Sequence, residues 1–194
     1  FNIDCTSSGT QTENITFTNT DGAKTLYLWA IDNAGQISNA KSVNFVLDTT
    51  VPTAILSFAE TNIKGGSSYT INLSGSDVGV GLDHLKLYFA NDATTYSLVA
   101  TVSNSATSYS WAAPTIDTIH GKLKFIATDL LGFTTTVYSN EFAIDSTAPS
   151  ALSLARSTSS ISNSTTVGIN VTGCSGDAQK MLFAESNTVP TVNA

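Results

Sequence analysis

The passage "AIDNAGQISNAKSVNFVLDTTVPTA" at residues 30–54 returns at residues 127–151 as "ATDLLGFTTTVYSNEFAIDSTAPSA". Asp32 aligns with Asp129, Gly35 with Gly132, Asp48 with Asp145 and Pro52 with Pro149, each pair 97 positions apart. A second set of matches runs through the rest of the chain. "INLSG" at 71–75 aligns with "INVTG" at 169–173, and "KLYFA" at 86–90 with "KMLFA" at 180–184, at offsets of 98 and 94. Departures this small are what copies differing by a few loop residues give. A long fixed period requires one supersecondary unit used again, and that constrains the fold more than composition does.

The period sets the expected domain organisation. Residues 49–147 form one complete copy, 1–48 the closing half of another, and 148–194 the opening half of another. With 148–194 placed directly before 1–48, Phe183 to Asp32 spans 43 positions across the joint, against 40 from Phe89 to Asp129 in the complete copy. Twice the period is 194, the length of the chain. The expectation is one two-domain period of a longer assembly, in which 148–194 is completed by 1–48 of the next subunit or of the next repeat.

Strand signals fill the complete copy. Short segments rich in Thr, Tyr, Val, Ile and Phe lie between turn signals, near 53–59, 68–74, 84–90, 96–102, 108–113, 121–129 and 134–144. "YTINLSG" sets Tyr69, Ile71 and Leu73 on one face, and "KLKFIATD" does the same for Leu123, Phe125 and Ala127. No segment of useful length has helical period with caps. Seven strands in about 97 residues is the arithmetic of an immunoglobulin-like sandwich. The expected fold class is therefore all-β, as tandem immunoglobulin-like β-sandwiches. Trp111, Tyr88 and Phe125 are expected in the core, Trp29 and Trp111 on central strands, and Asp21-Gly22 in a tight turn.

"LWAIDNAGQIS…VNFVLDTTVPT" and "FIATDLLG…NEFAIDSTAPS" resemble the last strands and linker of bacterial immunoglobulin-like (Big-type) tandem repeats. Such repeats carry an A-x-D-x-x-G turn followed by D-x-T-x-P between modules. "GSDVGVGLDHLKLYF" is similar to their acidic, glycine-rich passage between early strands. The resemblance covers almost the whole chain and implies a module of the kind found in surface adhesins, stalks, S-layer-like proteins and the spacers of secreted enzymes. It does not choose among these tasks.

Composition narrows the setting. Charged residues make up 12% of the chain and the net charge is −7. The polar surface is thus built largely from Ser, Thr, Asn and Gly, which suits an extracellular or cell-surface protein. With no basic patch to neutralise phosphates, nucleic acid is not an expected partner. An anionic membrane surface is disfavoured for the same reason. No apolar run approaches the roughly 20 residues that span a bilayer, so membrane insertion is not expected either. The opening Phe-Asn-Ile reads as mature or excised material.

Catalytic constellations are sparse, and no enzyme is expected. His84 and His120 are the only histidines, and neither lies in a zinc-protease or serine-hydrolase motif. "GSDVGVGLDH" lacks the Lys-Ser/Thr of a phosphate loop and reads as a glycine-rich β-connection. The turn and linker residues Asp32, Gly35, Asp48, Pro52, Asp129, Gly132, Asp145 and Pro149 punctuate the repeats. Their aspartates raise junctional calcium, but each junction offers few assured carboxylates for an ion wanting six to eight oxygens. Asp48 and Asp145 serve equally well in Asx-turns before proline. The expectation is no metal and no cofactor. Four N-glycosylation sequons occur, at Asn14, Asn72, Asn163 and Asn170.

Cys5 and Cys174 are the two cysteines, without metal-ligand spacing. In the joined copy both fall within a single sandwich, on either side of the joint. A disulfide between neighbouring subunits or repeats is the expectation, with two buried free thiols as the alternative.

These readings converge on a structural repeat unit of an extracellular filament or surface fibre, assembled head to tail. Its partners are copies of itself or adjacent repeats of a longer chain, and the short proline-bearing linkers limit bending. The alternatives are a stalk or spacer fragment of a large surface adhesin, or accessory modules of a secreted carbohydrate-active enzyme. Carbohydrate is disfavoured because most aromatics occupy alternating, core-like positions.

Overall fold

The computed structural model describes residues 9, 10, 12, 14–18, 20–149, 152–157, 165–173 and 180–185. Among these residues there are thirteen strands and no helix, and so no helix long and apolar enough to cross a membrane. The chain divides into two compact units, Phe1–Asp145 and Ser146–Ala194.

The first unit begins with an antiparallel hairpin of β1 (Gly22–Leu28) and β2 (Lys41–Leu47), in which Lys24 faces Phe45. Beyond the ladder, Ile31 bridges Ile37 around the Asp32 turn. Nine strands follow: β3 (Thr53–Ser57), β4 (Asn62–Lys64), β5 (Ser68–Ser76), β6 (Leu82–Ala90), β7 (Ser97–Val102), β8 (Ser108–Ala112), β9 (Thr118–Asp129), β10 (Thr134–Tyr138) and β11 (Phe142–Asp145). They form a three-stranded sheet, β3-β5-β8, and a second sheet in the order β4-β11-β9-β6-β7. β10 joins β9 on the edge that β9 also offers to β11. The pairings are antiparallel except β4 with β11, where Ile63 faces Ile144 in parallel.

Period-two alternation builds the core. On β9, Gly121, Leu123, Phe125, Ala127 and Asp129 are buried while the residues between them are not. Leu85 and Leu87 of β6 join them from the same sheet, and Ile71, Leu73 and Trp111 come from the other, all in one cluster at 0–3% exposure. Two sheets sharing one buried face make this part of the chain a β-sandwich.

The second unit contains β12 (Ser153–Arg156) and β13 (Ile169–Thr172), which pair antiparallel with Leu154 opposite Val171.

Four sequence expectations need correction. The strand read over 134–144 is two strands. Tyr138 faces Lys124 and Phe142 faces Gly121, so four steps on one side meet three on β9, a one-residue bulge. Ser139 occupies the offset and accepts the Leu123 N–H through its hydroxyl (2.9 Å). The three-residue edge strand β4 has too little alternation to be read from sequence. Tyr88 follows Leu87 onto the outer face of β6, where the Lys124 ammonium lies 4.4 Å from its ring centre. Trp29 sits just past β1, 54% exposed, stacked on Tyr27 at 5.8 Å rather than on a central strand.

Candidate metal centre

Three aspartates from distant parts of the first unit meet at one end of the sandwich. Asp129 closes β9 in the inward-facing phase of that strand, where an apolar residue would be expected, and is only 1% exposed. Asp48 follows β2 in the linker to β3 and is 6% exposed. Asp77 opens the glycine-rich loop between β5 and β6. One carboxylate oxygen from each lies within 4.8 Å of the others.

Backbone N–H groups aim each carboxylate. The Thr50 N–H (3.1 Å) and hydroxyl (3.2 Å) donate to Asp48 Oδ1, an Asx-type contact two residues on, and the Val80 N–H donates to Oδ2 (2.9 Å). Those bonds, the one from Val80 foremost, hold the Asp48 carboxyl below its ordinary pKa despite its burial. Asp77 Oδ2 accepts from Gly79 (3.1 Å) and Gly81 (2.8 Å), and Asp129 Oδ1 from Leu131 (2.8 Å) and Phe133 (2.9 Å). The remaining oxygens, Asp77 Oδ1 and Asp129 Oδ2, are buried and have no hydrogen-bond partner among the described residues. Gly79 packs face-on against the linker aspartate. A β-carbon there would fall 2.1–2.3 Å from the Asp48 carboxyl atoms, closer than any side chain permits.

Of the predicted turn and linker residues, this centre unites Asp48 and Asp129. Asp32 and Asp145 are exposed and lie outside it. Asp32 nevertheless builds the same turn as Asp129: its Oδ1 accepts from Ala34 (2.9 Å) and Gln36 (2.8 Å), and Gly35 and Gly132 share positive φ values of 81° and 89°. Pro52 is buried, and its carbonyl accepts the Thr135 hydroxyl. Pro149 is exposed.

Asp77 escaped sequence reasoning. The loop between β5 and β6 offers this one carboxylate, and its convergence with Asp48 and Asp129 depends on the tertiary fold. The usable signal was Asp129 itself, a carboxylate in phase with three core residues of its strand. Elsewhere, His84 pairs with Asp83 (2.7 Å) and His120 with Glu141 (3.0 Å). Asn14, Asn72 and Asn170 are exposed, whereas Asn163, Cys5 and Cys174 lie outside the described residues. Three converging carboxylates offer hard oxygen ligands and electrostatic attraction for a cation. No protein-family model matches the chain, and no curated protein matches it.

Proposed function

We propose that this chain is a structural repeat unit of an extracellular filament or surface fibre, in which immunoglobulin-like sandwiches follow one another head to tail at a period of about 97 residues. The joint forms when the hairpin of one copy completes the strands of 148–194 of the preceding copy or repeat. The unit has no catalytic task, and its work is cohesion along the fibre.

The observation that carries this reading is a set of shared register points with opposite burial. Lys24–Phe45 and Ile31–Ile37 reproduce Gly121–Phe142 and Thr128–Thr134 at an offset of 97. Leu154–Val171 reproduces Leu56–Leu73 at an offset of 98. The residues that face the core in 49–147 are uncovered at the corresponding places elsewhere. Phe125 is 0% exposed and its counterpart Leu28 is 64% exposed; Ile71 is 0% and its counterpart Ile169 is 43%. Apolar faces of this kind, backed by unpaired strand edges, drive association through a shared core and added strands. A contact between different patches of neighbouring copies does not close on itself, so it propagates.

The test is sedimentation of the 194-residue chain over a range of concentrations, with electron microscopy of the heaviest fractions. Linear, concentration-dependent oligomers are expected. Leu28→Asp should abolish them while leaving thermal unfolding of the 49–147 sandwich unchanged. A 20.3 kDa monomer at every concentration would sink the reading.

A further inference from the structure

We infer that Asp48, Asp77 and Asp129 bind a calcium ion that clamps the linker after β2 onto the β5–β6 loop and the end of β9. The inference rests on the geometry of these three residues and stands whether or not the chain forms fibres.

Burying carboxylates together is unfavourable unless something compensates their charge and fills their lone pairs. Among the described residues no ion pair engages Asp48, Asp77 or Asp129, so none supplies that compensation here. The backbone donors leave Asp129 Oδ2 and Asp77 Oδ1 unpartnered in a buried position. Asp129 is the more telling of the two, since its side chain is almost wholly enclosed and fixed by two N–H groups on its other oxygen. Its open oxygen has nowhere to turn for solvent.

Ligand chemistry selects the ion. An all-oxygen set with three carboxylates suits a hard cation and has none of the nitrogen or sulfur ligands that zinc and copper favour. Oxygens gathered within 4.8 Å fit the roughly 5 Å across a calcium shell. Magnesium demands a tighter octahedron and sheds water reluctantly. Water and backbone carbonyls are the natural source of the remaining ligands.

Location gives the ion its consequence. Asp48 lies between the β1–β2 hairpin and β3, and Val80 already reaches it across 32 positions of sequence. A cation shared with Asp77 and Asp129 ties that linker to two further elements. The joint is then stiff with calcium present and looser without it.

The experiment is titration calorimetry of the full chain, stripped with a chelator, paired with amide hydrogen exchange. Saturable calcium binding is expected with a Kd of about 10⁻⁵ to 10⁻³ M, and weaker binding of magnesium. Exchange at the Thr50, Val80, Leu131 and Phe133 amides should slow with calcium. Asp77→Asn should weaken binding by about tenfold or more, since one carboxylate is lost. It should also remove the calcium-dependent protection, while protection of the Leu123 and Phe125 amides reports that the sandwich is still folded. Gly79→Ala should act in the same direction by displacing Asp48. Absence of calcium binding up to about 10 mM would overturn the inference in favour of a buried water or a shared proton. Unaltered binding by folded Asp77→Asn would also overturn it.

Discussion

The β1–β2 hairpin and the β9–β11 part of the sandwich share two register points, although the hairpin ladder has no counterpart of the bulge at Ser139. Lys24 faces Phe45 as Gly121 faces Phe142, and Ile31 faces Ile37 as Thr128 faces Thr134. Their turns are closed alike, with the Gly35 N–H donating to the Asp32 carbonyl and the Gly132 N–H to that of Asp129, at 3.0 and 3.2 Å. Burial separates them: Phe125 has the whole opposing sheet above it, whereas Leu28 is 64% exposed. Register and turn chemistry are local properties, carried by alternation and by an aspartate and glycine at fixed spacing. Burial depends on which other strands are present, so the hairpin has the template of a core without its cover.

The largest effects should follow that divide. Phe125→Ala should cost about 3–5 kcal/mol in denaturant unfolding, because a fully buried ring leaves a cavity. Leu28→Ala, measured below the concentration at which copies associate, should cost under about 1 kcal/mol, as an exposed side chain does. Equal costs would mean that the hairpin is covered in solution by something other than a second copy. The turn should respond the same way in both regions. Gly132→Ala and Gly35→Ala each force a β-carbon onto left-handed backbone, at φ of 89° and 81°, and should each cost about 1–3 kcal/mol. A large difference between them would show that the two turns are not equivalent.

What sequence made legible follows the same divide. The all-β class and the inward faces of β5 and β9 were readable because alternation and turn residues are local signals. Tyr88 was misplaced because its neighbours are apolar on both sides, so composition could not reveal that the strand's phase turns it outward beneath Lys124. The break at Ser139 was hidden because a bulge is set by pairing with β9. The aspartate centre was legible only in part. Asp48 and Asp129 stood out as repeated turn residues, but their meeting with Asp77 needs three separate segments folded together.

Acid should affect the linker before it affects the core. Hydrogen bonds from Val80 and Thr50 hold the Asp48 carboxyl below its ordinary value of 3.8. A depressed folded-state value means that the ionised form favours the folded linker. That contribution is fully present above the ordinary value and fades as pH falls through the lower, folded one. In cation-free buffer, exchange at the Val80 amide should therefore accelerate as pH drops below about 4, after correction for intrinsic rates. Asp48→Asn should flatten this dependence. On the hairpin, the Ser38 amide, which donates to the Ala30 carbonyl rather than to a carboxylate, provides the comparison. Parallel behaviour of the two amides would mean that protonation loosens turns generally and the linker has no special sensitivity.

The smallest expected effect lies on the outer faces, where the two regions differ. Lys124 places its ammonium 4.4 Å from the centre of the Tyr88 ring and 4.5 Å from that of Tyr96. The position 97 residues earlier is Tyr27, which stacks on Trp29 instead. Each cation–π contact at a partly exposed site contributes about 0.5–1 kcal/mol. Lys124→Met retains the apolar stem and removes the charge, so it should cost about 0.5–1.5 kcal/mol. A cycle combining it with Tyr88→Leu should recover about half of that as coupling, because Tyr96 keeps its share. Zero coupling would mean that the lysine covers the ring only by its methylenes. In that case the outer sheet face would owe its order to packing alone, as the Tyr27–Trp29 stack does on the hairpin.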